Sequence, residues 1–141
     1  MRILVSACLL GENCKYNGGN NDNPAVCRLA EEHELVPFCP ERAGGLPCPR
    51  PPAEKRGGGV WDKTGKDVTA AFRRGAEQAL RTALEQGCKT AILKARSPSC
   101  GSGEIYDGTF TGTVVPGDGV AAAKLKAHRI VVLTEEELDK L

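Results

Sequence analysis

The chain has 141 residues, a length that fits one domain with a hydrophobic core of its own. Its formal net charge is +1 and 26% of its residues are charged, which excludes the strongly basic composition of a DNA-binding domain. The apolar runs are far shorter than the ~20 residues that span a bilayer, and the run after Arg2 is too short for a signal-peptide core. We therefore expect a single domain over residues 1–141 of a cytoplasmic, monomeric protein without a DNA or membrane partner.

Four short segments rich in Val, Ile and Leu have the composition of strands that are covered on both faces of a sheet. In chain order they are residues 2–7, 34–38, 90–94 and 129–133. Apolar residues at helical spacing lie between them, most clearly over residues 67–86, and shorter helices are expected at 23–32, 118–128 and 135–141. This alternation predicts an α/β fold, a three-layer domain with a mainly parallel central sheet of about four strands.

Two further segments depart from this alternation. Residues 103–115 alternate around Asp107-Gly108, which predicts a β-hairpin with that dipeptide at its centre. Residues 44–59 are rich in Pro and Gly and predict a long loop. Long loops inside compact domains are usually functional, so we expect this one near a site.

Seven cysteines in a chain of this size need an explanation. Because reducing compartments disfavour structural disulfides, metal ligation or catalysis is the better interpretation. Cys8 and Cys39 follow the first two predicted strands, and Cys100 lies in the loop after the third. The carboxyl ends of parallel strands meet at one edge of a sheet, where ligands bind. We therefore predict that these three thiols converge on a shared ligand; the alternative is three unligated buried thiols.

Zinc and iron–sulfur clusters are the two ligands that take several thiolates. Zinc sites usually contain a C-x₂-C pair, which this sequence lacks, whereas the thiolates of a [4Fe–4S] cluster each bind a different iron. Three ligands would leave one iron open, as in a catalytic site. Cys14 and Cys48 are alternatives for the same role, while we interpret Cys27 and Cys88 as small buried hydrophobic residues.

Several motifs in a fixed order carry a family resemblance. They are SACLLG at 6–11, YNGG at 16–19, CPE at 39–41, GGLP at 44–47, PRPPAE at 49–54, GKDVT at 65–69, SPSCG at 97–101 and GDGV at 117–120. Together they cover essentially the whole chain, which resembles the bacterial thiouracil desulfidase family. The resemblance implies an α/β fold and a [4Fe–4S] cluster held by Cys8, Cys39 and Cys100. It also implies that a thiolated uracil is converted to uracil with release of sulfide.

The chain departs from the family pattern at two positions. Cys48 stands where relatives have Thr or Ser, which makes it incidental to the implied ligand set. Asn17 stands where an Asp is usual, and we expect it to bind substrate as an amide rather than as a carboxylate.

The expected mechanism is a non-redox hydrolysis at an iron that has no protein ligand, with a small thiopyrimidine as substrate. An open iron would act as a Lewis acid on the soft thiocarbonyl sulfur, and proton transfer would need a nearby acid–base group. Glu41, two residues after Cys39, is the candidate for that group. The alternative is a carboxylate that caps the loop or pairs with Arg42 or Arg50. Ser99 is a second catalytic candidate and Ser97 a substrate-binding one, although both could only bond the loop backbone.

Two other functions fit the same residues. One is an iron–sulfur or zinc binding module that senses redox state without catalysis. The other is the same chemistry on thiouridine within RNA, which the near-neutral charge disfavours because RNA affinity usually needs phosphate neutralisation. Contacts to a pyrimidine edge or an attached phosphate have four further candidates, Arg50, Glu54, Lys94 and Arg96. The alternative is that these side chains are only solvated at the surface.

Overall fold

The structure is a computed structural model that describes residues 1–141. The strands are β1 (Arg2–Ser6), β2 (Glu34–Phe38), β3 (Ala53–Arg56), β4 (Gly59–Asp62), β5 (Thr90–Leu93), β6 (Glu104–Tyr106), β7 (Val114–Pro116) and β8 (Val131–Thr134). The α-helices are α1 (Pro24–Arg28), α2 (Pro40–Ala43), α3 (Thr69–Gln86) and α4 (Val120–Ala127). Short 3₁₀ turns span Ala7–Leu10, Leu29–Glu31 and Leu138–Lys140. None of the helices combines the length and apolarity of a bilayer-spanning segment.

The central sheet contains the four strands that the sequence predicts. Their order is β2-β1-β5-β8, and all neighbouring pairs are parallel. The pairing aligns Leu4 with Val36 on one side and with Ala91 on the other. All four carboxyl ends therefore lie at one edge, as expected for a sheet built from strand–helix–strand units.

Side chains on the two faces of this sheet belong to two separate cores. Leu4, Leu93 and Val132 pack with α3 and α4 on one face, while Ile3, Val5, Ile92 and Leu133 pack with Leu9 and Val26 on the other. The alternation along each strand is what a sheet covered on both faces requires. The predicted three-layer α/β fold is thereby confirmed.

Both irregular segments form antiparallel hairpins, and here the sequence predictions need correction. In the predicted 103–115 hairpin, β6 pairs with β7, but the turn is not at Asp107-Gly108, because Tyr106 pairs with Val114 across a loop of residues 107–113. Within this loop, threonine hydroxyls hydrogen-bond to one another and to the Asp107 carboxylate. These bonds stabilise a loop that is longer than a two-residue turn. The predicted 44–59 loop instead contains β3, which pairs with β4. A strand that reads AEKR has no apolar alternation from which to predict it.

The short helix α2 is held against α3 by two glycines. A Cβ on Gly75 would lie 1.9 Å from the Pro40 carbonyl oxygen, and one on Gly44 would lie 2.0 Å from that of Ala71. Such distances are far below van der Waals contact, so only glycine permits the helices to approach this closely. The packing fixes the start of α2, which directly follows Cys39.

Candidate metal-cluster site

The three cysteines that follow the central strands line one cavity of about 490 Å³. Cys8 lies in the 3₁₀ turn after β1, and Cys39 is the residue that precedes α2 after β2. Cys100 lies in the loop that follows β5 and is 5% exposed. The sheet edge thus brings together side chains that are far apart in sequence.

A fourth cysteine, Cys14, lies between two of these thiols. It is 2% exposed and lines the same cavity, and its backbone carbonyl accepts a 3.9 Å hydrogen bond from the Cys39 thiol. Cys48 does not line the cavity, and its thiol donates to the Asn13 carbonyl at 3.1 Å. Of the two alternatives that the sequence leaves open, the structure therefore brings only Cys14 to the site.

The surroundings of Cys8 and Cys39 favour thiolates. The hydrogen bond from Cys14 lowers the pKa of Cys8 to about 7, against the effect of burial, and Asn21 adds a second bond to the Cys8 sulfur at 3.4 Å. The same thiol lowers the pKa of Cys39 to about 6, with smaller contributions from the Arg42 backbone and the Arg50 charge. The pKa of Cys14 itself is raised by its bonds to these two sulfurs.

Cys100 has a different environment. Burial raises the pKa of its thiol to about 12, although hydrogen bonds from Ser6 and Ser99 lower it in part. The loop that carries it is packed closely on the start of α4, where a Cβ on Gly119 would lie 2.4 Å from the Ser99 carbonyl carbon. A buried thiol of this kind ionises when a metal replaces its proton.

The donor set fits an iron–sulfur cluster. Soft thiolates select iron–sulfur clusters, zinc and Cu(I), and the cavity offers four sulfurs and no histidine. No group of three His, Cys, Asp or Glu side chains is close enough together to hold a single metal ion. In a [4Fe–4S] cluster each thiolate binds its own iron, so the ligands need not meet at one atom.

Glu41 also lines the cavity and pairs with a buried arginine. Its Oε2 accepts a 2.8 Å bond from Arg50 Nη2, which also donates to the Cys14 carbonyl at 3.0 Å. No protein group donates to Glu41 Oε1. Burial raises the pKa of Glu41, and the charge and hydrogen bond of Arg50 oppose that rise. The ion pair that the sequence left as the alternative is present, and the carboxylate also faces the cavity.

The two serines before Cys100 occupy different positions. Ser97 is half-buried, lines the cavity, and accepts a 2.7 Å bond from the Cys100 amide. Ser99 is 1% exposed, and its hydroxyl donates to the Cys100 sulfur at 3.5 Å. Asn17, the other expected substrate-binding residue, is exposed and outside the cavity, where its side chain accepts the Gly19 amide at 2.9 Å.

Sequence reasoning missed the aromatic part of the cavity. Tyr106 and Phe110 line it from the hairpin of β6 and β7, and Tyr16 lines it from the loop after Cys14. These residues lie in loops or short strands, where no periodic pattern marks which side chains turn inward. The only usable signal was that a predicted hairpin of unusual composition follows SPSCG directly.

A parallel α/β sheet with four thiols around one cavity at its carboxyl edge has the arrangement expected of a protein that binds a metal cluster through thiolates. Comparison with known proteins identifies the family to which the chain belongs. The chain belongs to the 2-thiouracil desulfurase family, whose model matches residues 3–137.

Two relatives are similar over almost their whole length. A solved structure described as the [4Fe-4S]-dependent thiouracil desulfidase TudS is 48% identical, with a TM-score of 0.94 over 99% of this chain and 94% of that one. An uncharacterized protein of Bacillus subtilis (strain 168), YbbK, is 42% identical over 99% of both chains. The family expected from the sequence motifs is confirmed.

Proposed function

We propose that this protein is a [4Fe–4S]-dependent desulfidase that acts on a small thiolated pyrimidine. The observation that carries the proposal is the convergence of Cys8, Cys39 and Cys100 on one cavity at the sheet edge. Family membership and the similarity to TudS support the same chemistry. The overall reaction adds water across the thiocarbonyl: the water oxygen bonds to the ring carbon, the carbon–sulfur bond breaks, and sulfur leaves as hydrosulfide. No electrons are exchanged.

Cys8, Cys39 and Cys100 would hold the cluster, with one iron left without a protein ligand. When bound, the cluster supplies a Lewis acid toward the soft thiocarbonyl sulfur. Cys14 is the alternative fourth ligand, but a fourth thiolate would close the open position that a catalytic metal site needs. We therefore assign Cys14 to a hydrogen bond with the sulfurs of Cys8 and Cys39.

Glu41 is the group that we propose moves protons between water and substrate. Its Oε1 has no protein hydrogen-bond partner in the cavity, so it is the carboxylate oxygen available to water or to the ring. Arg50 holds Oε2 at 2.8 Å and thereby orients the carboxyl group. A positioned acid–base group contributes typically about 10²–10⁴-fold to rate.

We propose different roles for Ser97 and Ser99. Ser97 is the more accessible hydroxyl, and we propose that it binds the substrate while its oxygen also accepts the Cys100 amide. For Ser99, a catalytic candidate from the sequence, we propose instead that it supports the Cys100 sulfur, to which its hydroxyl donates. Asn17 takes no part in the proposal because it lies outside the cavity.

The test is anaerobic reconstitution with iron and sulfide, followed by incubation with 2-thiouracil or 4-thiouracil and no electron donor. We expect uracil and sulfide to form in equal amounts over many turnovers. Turnover that stops without a reductant would contradict the non-redox proposal. A cluster-loaded protein that leaves both compounds intact would instead favour the non-catalytic redox-sensing module.

A further inference from the structure

A buried carboxylate without a cationic partner lies beside the cavity. Glu54 on β3 is 9% exposed, yet it takes part in none of the ion pairs of the protein. Removing a carboxylate from water is costly unless hydrogen bonds replace the lost solvation. Its Oε1 accepts two backbone N–H bonds, from Gly108 at 3.0 Å and from Phe110 at 3.2 Å. The Oε1 of Glu54 thus holds the loop between β6 and β7.

The contacts of this loop leave it little freedom. A Cβ on Gly108 would lie 2.9 Å from the Lys55 carbonyl oxygen, so the loop rests directly on β3. Phe110 has a φ of 58°, a left-handed conformation that is uncommon for a bulky residue and that needs support from its surroundings. The bond from the Phe110 amide to Glu54 provides that support.

The fixed conformation directs an aromatic side chain to the site. Phe110 and Tyr106 line the same cavity as the thiols. Aromatic faces pack favourably on other planar rings. We propose that Glu54 is a positioning residue, which holds the loop of residues 107–113 on β3 so that Phe110, with Tyr106, forms the wall against which the substrate ring packs. The inference rests on the proposed function and identifies how the ring is recognised.

A direct role for Glu54 is the competing explanation. Glu54 lines the cavity, and its Oε2 has no protein hydrogen-bond partner, so it could itself bind a ring N–H. The two explanations differ in how the effects of substitutions combine. If Glu54 acts only through Phe110, removing both side chains weakens binding no more than removing one. If Glu54 contacts the ring, the two effects multiply.

The experiment measures the dissociation constant of uracil for the cluster-loaded protein by calorimetry, because uracil is the product of the proposed reaction and is not turned over. We expect Phe110→Ala and Glu54→Ala each to weaken uracil binding about 10-fold, and the double variant to be no weaker than either. Glu54→Gln keeps the accepting oxygen, so its dissociation constant should stay within about twofold of the wild-type value. Glu85→Ala, at an exposed glutamate of α3 that does not line the cavity, is the matched control and should bind normally.

Kinetics and unfolding of the same variants separate positioning from folding. KM for a thiouracil should rise with the dissociation constant while kcat and iron content change little, because the reacting groups lie on the sheet edge. Should Glu54→Ala not fold, Glu54→Asp, whose shorter side chain withdraws the carboxylate from the loop, replaces it in every comparison.

Several results would overturn the inference. They are wild-type affinity in Phe110→Ala, a roughly 100-fold loss in the double variant, and a Glu54→Gln variant as weak as Glu54→Ala. A wild-type protein that neither binds uracil nor turns over a thiouracil would overturn both the inference and the proposed function. Normal binding with no release of sulfide would overturn the proposed function alone.

Discussion

The sheet edge and the two hairpins build the same cavity in different ways. The thiols follow parallel strands of the central sheet, of which β1 and β5 are mostly buried. Glycines that leave no room for a Cβ hold α2, after Cys39, against α3 and the loop of Cys100 against α4. The hairpins consist of strands of three or four residues, and every residue of β7 is exposed. Side-chain contacts such as the two hydrogen bonds to Glu54 hold the loop of one hairpin on the other. In our proposal the cluster ligands therefore depend on the central sheet, while the contacts to the substrate ring depend on the hairpins.

This comparison predicts two kinds of outcome. Changes at the sheet edge should remove the cluster or the chemistry, since nothing else can replace a ligand or a proton-transfer group. Changes in the hairpins should leave the cluster intact and alter affinity or stability by small amounts.

Replacing any one of Cys8, Cys39 or Cys100 with Ala should abolish cluster binding and turnover together. The reason is that each thiolate would hold a different iron, so the loss of one leaves the cluster incomplete. Iron content and visible absorption after anaerobic reconstitution measure the effect. Cys27→Ala is the control, because Cys27 does not line the cavity. A full complement of iron in two of the three variants would contradict the ligand assignment.

Glu41→Gln should keep the cluster and lower kcat by about 10²–10⁴, the usual effect of losing an acid–base group. Glutamine preserves an acceptor for Arg50 but cannot carry the proton. Turnover of 2-thiouracil and iron per chain, measured on one preparation, distinguish loss of chemistry from loss of cluster. A rate close to that of the wild type would remove Glu41 from the mechanism.

Gly75→Ala should destabilise the protein by about 1–3 kcal/mol, the usual cost of overpacking, because the new Cβ would collide with the Pro40 carbonyl. The helix α2 must then move away from α3 and take Cys39 with it, so iron content should fall as well. Chemical denaturation and iron analysis measure both effects. Gly58→Ala is the matched control, because nothing lies within 4 Å of its Cβ position. Equal stability of the two variants would show that the close approach is not needed.

Lys55→Met should have the smallest effect, about 0.5–1.5 kcal/mol in the free energy of unfolding, the usual net contribution of one hydrogen bond. The substitution removes the 2.8 Å bond from Lys55 Nζ to the Asp118 carbonyl, which ties β3 to the segment after β7. Iron content and kcat should not change. A loss of cluster would show that the hairpins support the ligands and would break the distinction between the two regions.

The sequence was sufficient to predict the central sheet and the positions of the three thiols around it. Buried parallel strands produce continuous Val, Ile and Leu runs, and their topology alone predicts that Cys8, Cys39 and Cys100 meet at one edge. The hairpins could not be predicted in the same way. In β3 the residues AEKR show no apolar alternation, and the 107–113 loop depends on hydroxyl and carboxylate bonds that Asp107-Gly108 does not reveal.

Contacts between distant residues account for the remaining differences. Only the folded chain shows that Cys14, six residues after Cys8, lies against both Cys8 and Cys39 while Cys48 is directed to backbone carbonyls. The same is true of Asn17, whose side chain bonds within its own turn instead of reaching the cavity.

The most direct test of the central claim uses the double variant Cys14→Ala/Cys48→Ala, in which neither alternative thiol is left. Iron per folded chain and uracil formed from 2-thiouracil are measured after anaerobic reconstitution. If Cys8, Cys39 and Cys100 are sufficient, the variant binds about four irons and turns over 2-thiouracil without an electron donor. A variant that folds but binds markedly less iron than the wild type would show that a fourth thiol is a ligand. It would contradict the proposal that one iron has no protein ligand.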